Sequence, residues 1–242
     1  MKQLSIEALD VRHGLLQAVK DVSFSMGQGE TVALVGANGA GKTTLLRAIA
    51  GAHLPSCGRI LFDATDVTAM PAYKRVGVGI ALVPEGRRLF AQMTVEENLQ
   101  LASSAGRPGV WTVDVVMETF PRLKRRRNAK AGNLSGGEQQ ATAIGRALMT
   151  NPEILLLDEV SLGLSPIAVE QVYTSLTSLI KSGTTCIIVE QDLNRAIAVA
   201  DRVICMLEGR IVLEGQTSQL SRQQITEAYF GLSEAQAKDL MS

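Results

Sequence analysis

The sequence predicts an α/β fold in which helices cover both faces of a mainly parallel sheet. Short, nearly continuous apolar runs recur along the chain, for example at 31–35 and 154–157, and strands that are buried on both faces have this composition. Segments with helical periodicity separate these runs, so strands and helices alternate in the order that is typical of a parallel sheet.

The remaining elements follow in order along the 242 residues. Apolar residues alternate between positions 4 and 26, which is typical of strands with one solvated face, and we expect these residues to form an antiparallel β subdomain. The other predicted strands are 59–62, 80–83, 184–189, 203–207 and 211–213. Four helices are predicted in the α/β part of the chain, at 43–50, 136–149, 166–181 and 192–200.

Residues 94–133 differ from the rest because they show helical patterns only. Thr94 can cap one helix, and the periodicity predicts a second helix over about 112–127. We therefore expect a helical subdomain at about 94–133, inserted into a single domain that spans 1–242. The α/β core with its β subdomain would then be formed by 1–90 and 134–242.

Composition argues against several classes of protein. Lys and Arg together number 24, as do Asp and Glu, so the formal net charge is zero; a general nucleic-acid binder would need an excess of basic residues. Two histidines, and three cysteines without a CxxC pair, argue against a His- or Cys-based metal site. No apolar run approaches the roughly 18 residues that cross a bilayer, so we expect a cytoplasmic protein that reaches a membrane only through a partner.

An eight-residue segment between strand 31–35 and helix 43–50 has the phosphate-binding pattern G-x-x-x-x-G-K-[ST]. Its residues are Gly36, Ala37, Asn38, Gly39, Ala40, Gly41, Lys42 and Thr43. Glycines let the backbone wrap around a phosphate, and the N–H groups at the helix start attract the anion. Lys42 would supply a cation to the β- and γ-phosphates of ATP, and the Thr43 hydroxyl would bind Mg²⁺. We include the next residue, Thr44, among the expected ATP contacts.

A pair of carboxylates ends the apolar strand at 154–157. An unpaired charge inside a core is costly, so Asp158 and Glu159 must reach a polar site at the carboxyl edge of the sheet, where ligands bind in open α/β folds. Asp158 would hold Mg²⁺, and Glu159 would act as the general base that polarises the attacking water.

A third motif consists of Leu134, Ser135, Gly136, Gly137 and Glu138. Ser135 and Glu138 have the spacing of a helix capping box, which explains the serine and the glutamate. It does not explain two glycines in the first turn of a helix, where each costs up to about 1 kcal/mol relative to alanine. Their presence suits the close approach of a phosphate to backbone N–H groups.

With these three motifs in this order, the chain resembles the ABC ATPases, a family of phosphate-loop (P-loop) NTPases, over essentially its whole length. The resemblance implies a head-to-tail dimer in which 134–138 of one subunit close over the ATP of the other. It also implies that the helical subdomain docks a membrane permease, which would place the protein on the inner face of the cell membrane.

A closer resemblance is to the LivF-type ATPase subunits of branched-chain amino acid importers. It rests on three segments: 83–90 (VPEGRRLF), 134–148 (LSGGEQQATAIGRAL) and 189–191 (VEQ). Such importers contain a second, related ATPase, permease subunits and a periplasmic or extracellular solute-binding protein. The cargo stays open between branched-chain amino acids, other amino acids, urea and short amides, and the working dimer can be formed with itself or with a sibling.

Several positions depart from the general family pattern. Glu85 stands where most members have a glutamine near Mg²⁺, and Arg87 or Arg88 can offset its charge. Gln191 stands at the switch histidine; its amide can donate to the γ-phosphate but carries no charge. His13 falls where the family places an aromatic residue against adenine, although a surface histidine explains it equally well. A further difference, Ser165 in place of an aspartate, leaves the rate of hydrolysis open.

Two other functions compete with an importer ATPase. A soluble ABC ATPase that acts on ribosomes or DNA is the first, but that class typically fuses two cassettes or carries long insertions. A kinase or GTPase with a phosphate loop is the second, but the chain lacks an N-K-x-D motif and residues 134–138 would be unexplained. We expect ATP and Mg²⁺ as cofactors and no nucleic-acid partner.

Overall fold

The computed structural model describes residues 4–231, and within this range ten strands form two sheets. The antiparallel sheet has the order β2-β1-β4-β5, with β1 Leu4–His13, β2 Leu16–Met26, β4 Cys57–Phe62 and β5 Thr65–Asp66. The second sheet has the order β10-β9-β3-β8-β7-β6. Its strands are β3 Thr31–Val35, β6 Ile80–Val83, β7 Ile154–Asp158, β8 Thr185–Val189, β9 Arg202–Leu207 and β10 Arg210–Gln216. All neighbours in this sheet are parallel except the β9–β10 hairpin.

Helices connect these strands. In chain order they are α1 Lys42–Ile49, α2 Ala72–Val78, α3 Val95–Ser103, α4 Val113–Thr119, α5 Pro121–Lys124, α6 Gly136–Leu148, α7 Pro166–Lys181, α8 Leu193–Val199 and α9 Arg222–Phe230. A 3-10 turn, Ala131–Asn133, precedes α6. Across residues 4–231, no helix combines the length and apolar character needed to cross a bilayer.

The prediction of one helix over 112–127 is wrong. The structure has α4 and α5 instead, with Phe120 between them at φ −120° and ψ 76°. The cause is Pro121, because a proline disfavours the helical conformation of the residue before it. The short elements α2, β5 and α9 had no counterpart among the predictions.

The parallel sheet is buried on both faces, as its apolar strands predicted. Leu156 and Ile187 pack on one side with α1 and the antiparallel sheet. Leu155 and Ile188 pack on the other side with the helices that follow residue 94. Successive residues of a strand point to opposite faces, so each strand needs apolar residues at every position. This sandwich fixes the carboxyl ends of β3, β7 and β8 next to one another.

Arg75 is a buried cation in α2 whose side chain is 0% exposed. Its guanidinium donates to the carbonyl oxygens of Ala48 and Ile49 at the end of α1, both at 2.7 Å, and to those of Met70 and Thr68. Burial lowers the pKa of Arg75 to about 10, and the nearby charge of Asp66 opposes this shift. The contacts tie α2 to the carboxyl end of the helix that begins at the phosphate loop.

Replacement of Arg75 by methionine is expected to lower the free energy of unfolding by about 4 kcal/mol, because buried carbonyl acceptors lose their charged donor. Urea denaturation followed by circular dichroism measures this. Lys74→Met is the matched control, since Lys74 is exposed in the same helix; it should change the free energy by less than about 0.5 kcal/mol. Equal stabilities of the two variants would contradict the assigned role of Arg75.

Candidate active site

The loop 36–43 joins β3 to α1 at the carboxyl edge of the parallel sheet. Gly36 and Gly41 have φ of 148° and 102°, values that favour glycine. A Cβ at these positions would lie 2.2 Å from the carbonyl oxygen of Met206 and 2.3 Å from that of Ala18, respectively. The two glycines are therefore required by the packing of the loop on its neighbouring strands, in addition to the room that a phosphate needs.

Lys42 begins α1, and its side chain is only 4% exposed. Its Nζ donates to the carbonyl oxygens of Gly36 at 2.7 Å and Ala37 at 3.0 Å. Burial lowers the pKa of Lys42, while the charges of Glu159 and Asp158 oppose the shift. The ammonium group has three N–H donors, so one stays available, and an anion at the loop would stabilise the buried charge.

Thr43 and Asp158 meet at the ends of α1 and β7. The Thr43 hydroxyl donates to Asp158 Oδ1 at 2.9 Å, whereas the buried Oδ2 of Asp158 has no hydrogen-bond partner among the described residues. Burial raises the pKa of Asp158, and the charges of Glu159 and Glu85 add to the effect. A cation would relieve this cost, so the hydroxyl and the orphaned carboxylate oxygen fit Mg²⁺.

Protein side chains alone do not complete a metal site here. Residues 4–231 contain no group of three or more His, Cys, Asp or Glu side chains placed to hold a metal. Mg²⁺ commonly binds one or two protein oxygens together with nucleotide phosphates, and the Thr43–Asp158 pair suits that mode.

Glu85 follows β6 at the same edge of the sheet, and its side chain is exposed. Within the described residues it forms no hydrogen bond or ion pair, but its charge helps to raise the pKa of Asp158. Arg87 points elsewhere: its Nη1 donates to Gln139 Oε1 on α6 at 2.9 Å. The charge of Glu85 is therefore not neutralised by direct contact with Arg87.

Glu159 and Gln191, which the sequence assigned separately, are in direct contact. Gln191 Nε2 donates to Glu159 Oε2 at 2.7 Å. Glu159 has a φ of 48°, a left-handed conformation that is uncommon for a non-glycine residue and is frequent at active sites. Its backbone N–H donates to the carbonyl oxygen of Val189 at 3.1 Å. Together these contacts hold the carboxylate and the amide at the ends of two adjacent strands.

The motif 134–138 forms the start of α6. Ser135 caps the helix: Glu138 N donates to Ser135 Oγ at 3.3 Å, and Ser135 N donates to Glu138 Oε2 at 2.9 Å, which completes the expected capping box. Ser135 is exposed, whereas Leu134 is buried. No hydrogen bond between described residues links this motif to the loop 36–43.

The two glycines of this motif also have a packing role that the sequence did not reveal. A Cβ at Gly137 would lie 3.0 Å from the Cβ of Ala168 in α7, and one at Gly136 would lie 3.1 Å from Leu164 Cδ2. Both distances are shorter than ordinary van der Waals contact. Close packing on α7 and on Leu164, just before that helix, is therefore a second reason for the glycines, beside the approach of a phosphate.

His13 ends β1 next to the phosphate loop. Its Nε2 lies 3.1 Å from the hydroxyl of Thr44, the residue that follows Thr43 in α1. The ring is exposed, and its centroid lies 4.5 Å from that of His53. The exposed ring therefore lies beside the loop and next to a second imidazole.

Sequence reasoning missed a buried network directly behind Glu159 and Gln191. Its centre is Glu190, which accepts hydrogen bonds from Ser161 and Tyr173. The three residues are far apart in the sequence, so no local pattern links them. The only sequence feature that indicates this network is Glu190 itself, directly after the apolar strand 184–189. A carboxylate at that position is expected to need a buried hydrogen-bond partner.

The sequence is similar to those of known ATP-binding proteins. A family model described as "ABC transporter" matches residues 19–161. The chain is 42% identical over 231 residues to the high-affinity branched-chain amino acid transport ATP-binding protein BraG of Pseudomonas aeruginosa, covering 94% of this chain and 99% of that protein. It is 33% identical to the probable branched-chain amino acid transport ATP-binding protein LivF of Archaeoglobus fulgidus over 208 residues, 85% of this chain and 88% of that protein.

A solved structure has a similar fold. It is a dimeric ATP-binding cassette in a post-hydrolysis state, bound to ADP and inorganic phosphate. The TM-score is 0.77 at 26% identity, and the match covers 88% of this chain and 98% of that one.

Proposed function

Because the chain belongs to the ABC transporter family and has the P-loop fold of its ATPases, we propose that it energises an importer of branched-chain amino acids. One observation carries the choice of cargo: the 42% identity to BraG, which extends over nearly the full length of both chains. ATP hydrolysis is the activity of the family.

The side chains at the carboxyl edge of the parallel sheet have different roles in ATP hydrolysis. Lys42 and the N–H groups of 36–43 bind the phosphates of ATP, and Thr43 and Asp158 hold Mg²⁺, which neutralises phosphate charge when bound. Glu159 accepts a proton from the attacking water as general base. Gln191 orients the Glu159 carboxylate through the 2.7 Å hydrogen bond and donates to the γ-phosphate when the nucleotide is present. Glu85, whose charge acts on Asp158, would add a further carboxylate at the metal site.

A second cassette completes each site. Ser135 is exposed at the start of α6, where a helix attracts an anion, and its O–H stays available as a donor while its Oγ accepts the capping bond from Glu138 N. This end of the helix suits the γ-phosphate of a partner's ATP. His13 stacks on the adenine of the subunit's own nucleotide. The solved dimeric cassette with a similar fold supports dimerisation. The partner is a second copy or a related ATPase.

Membrane permease subunits are the other partners, and through them the protein lies on the cytoplasmic face of the membrane. We assign their docking to residues 94–133, which contain α3, α4 and α5 and contribute no strand to either sheet. The α/β core with the antiparallel sheet, 1–90 and 134–242, then forms the rest of a single domain, of which residues 1–3 and 232–242 lie outside the described residues. A solute-binding protein delivers the cargo from the other side. No finding favours the alternative of a soluble ATPase on ribosomes or DNA.

Measurements of ATP hydrolysis by the reconstituted complex test this function. The full-length chain, purified with its permease and placed in lipid vesicles, should hydrolyse ATP several times faster when the binding protein carries leucine, isoleucine or valine than when it is empty. Urea and a basic amino acid serve as controls for the cargo. Stimulation by one of the controls alone would reject the proposed cargo, and absence of any copurifying membrane protein would reject the importer.

A further inference from the structure

The network centred on Glu190 belongs to none of the three motifs. The Glu190 side chain is 1% exposed. One of its carboxylate oxygens accepts a hydrogen bond from Ser161 Oγ at 2.7 Å, and the other accepts one from the hydroxyl of Tyr173. A carboxylate that is buried so deeply is costly unless it is hydrogen-bonded, so the two hydroxyls stabilise it in this position.

The network connects the two chain segments that carry the proposed catalytic pair. Ser161 lies two residues after Glu159, and Glu190 comes immediately before Gln191. The same two segments are joined by the bond from Glu159 N to the Val189 carbonyl oxygen and by the bond from Gln191 to Glu159. Three links, one from the backbone and two from side chains, therefore fix the end of β7 against the end of β8.

Neighbouring residues 190 and 191 face opposite directions. Glu190 is buried under the sheet edge, whereas Gln191 is exposed and reaches Glu159. Since an exposed glutamine side chain has several rotatable bonds, its position depends on the backbone from which it extends. The two hydrogen bonds on Glu190 hold that backbone. Glu159 also needs support, because its left-handed conformation persists only where its surroundings determine it.

Tyr173 brings α7 into the network. Burial raises the pKa of Tyr173, and the charge of Glu190 raises it further. The hydroxyl therefore keeps its proton and stays a donor. Five residues earlier in α7, Ala168 packs against Gly137 of the motif that is proposed to cover the partner's ATP. The same helix thus contacts both the start of α6 and the support of Gln191.

We propose that Glu190, held by Ser161 and Tyr173, is a positioning residue for ATP hydrolysis that keeps Gln191 on the Glu159 carboxylate. The inference rests on the proposed function, since it takes Glu159 and Gln191 as the catalytic pair. A purely structural role, in which Glu190 only ties α7 to the sheet, makes a different prediction for combined variants.

A double-mutant cycle separates the two roles. Glu190→Gln keeps the size of the side chain, but its amide N–H₂ cannot accept a hydrogen bond. One of the two hydroxyls, Ser161 or Tyr173, therefore loses its acceptor. In the full-length chain, assembled with its permease and partner cassette and supplied with Mg-ATP, this substitution should lower kcat by about tenfold to 100-fold and leave KM for ATP unchanged, because only the orientation of the reacting groups is disturbed. Gln191→Ala should have a similar effect, and the double variant should be no slower than Gln191→Ala alone.

A second measurement follows Gln191 directly. The Nε2 amide signal of Gln191 in a ¹⁵N NMR spectrum, identified by its loss in Gln191→Ala, should move towards that of a free glutamine in Glu190→Gln. Tyr173→Phe should lower kcat and shift the Gln191 signal in the same direction, but to a smaller extent. If Glu190→Gln does not fold, Tyr173→Phe replaces it in both experiments. Tyr73→Phe, at an exposed tyrosine of α2, is the matched control.

The proposal is overturned if Glu190→Gln retains the wild-type kcat, if its effect multiplies with that of Gln191→Ala, or if the Gln191 signal stays in place. Failure of the proposed function looks different: ATP hydrolysis by the reconstituted wild-type complex would then not respond to a binding protein that carries leucine, isoleucine or valine. The kcat cycle and the NMR experiment would still report whether Glu190 positions Gln191.

Discussion

Replacement of Glu159 by glutamine is expected to slow ATP hydrolysis by about 10²-fold to 10⁴-fold, the usual contribution of a general base. The amide is close to the carboxylate in size and can still accept the hydrogen bond from Gln191 Nε2, so the site should keep its geometry. It cannot accept a proton from water. Binding of Mg-ATP should be unchanged, since Lys42, Thr43 and Asp158 remain in place.

The same variant should accumulate as an ATP-bound dimer, because hydrolysis is the step that releases the two cassettes. Sedimentation velocity with saturating Mg-ATP, with the variant alone and mixed with its partner ATPase, measures the dimer. Glu118→Gln in α4 is the matched control, as Glu118 is exposed and lies outside the loop 36–43, the motif 134–138 and the ends of β6, β7 and β8. A Glu159→Gln variant that hydrolyses ATP at the wild-type rate would refute the role of general base.

The features that the sequence predicted are those with local signals. Each buried strand of the parallel sheet is a short apolar run, and β6 and α7 begin and end at the predicted residues. The phosphate loop and the capping box of Ser135 and Glu138 are also contiguous patterns whose conformation depends on residues within a few positions. For such elements, propensity and tertiary packing favour the same structure.

The features that were missed depend on contacts between distant segments. Arg75 lies in a seven-residue helix, α2, with two glycines nearby and no clear apolar face, and only the folded chain shows that its guanidinium caps α1. Gly137 packs on Ala168 of α7, about 30 residues later in the chain. Glu190 meets Ser161 and Tyr173 by the same kind of long-range contact. The break between α4 and α5 is different, because Pro121 is a local signal that outweighs the apolar periodicity.

Replacement of Lys42 by alanine is expected to weaken the binding of Mg-ATP by about 100-fold or more, because charge-assisted hydrogen bonds to phosphate are lost. The loss goes beyond one contact. In the structure the ammonium group covers the carbonyl oxygens of Gly36 and Ala37, at 2.7 and 3.0 Å. Without it, these two oxygens would face the phosphates directly and repel them.

Two further variants, Lys42→Arg and Lys181→Ala, separate the effect of the positive charge from that of the shape of the side chain. Isothermal titration calorimetry measures the affinity of all three variants for Mg-ATP. Lys42→Arg keeps the positive charge, but the site leaves the lysine only 4% exposed, so the larger planar group cannot occupy it and binding should also be lost. Lys181→Ala, at the exposed carboxyl end of α7, removes the same charge elsewhere and should bind like the wild type. If Lys42→Ala bound Mg-ATP with wild-type affinity, the loop 36–43 would not hold the triphosphate through this lysine. Tight binding by Lys42→Arg together with loss in Lys42→Ala would instead show that charge matters more than the close fit of the side chain.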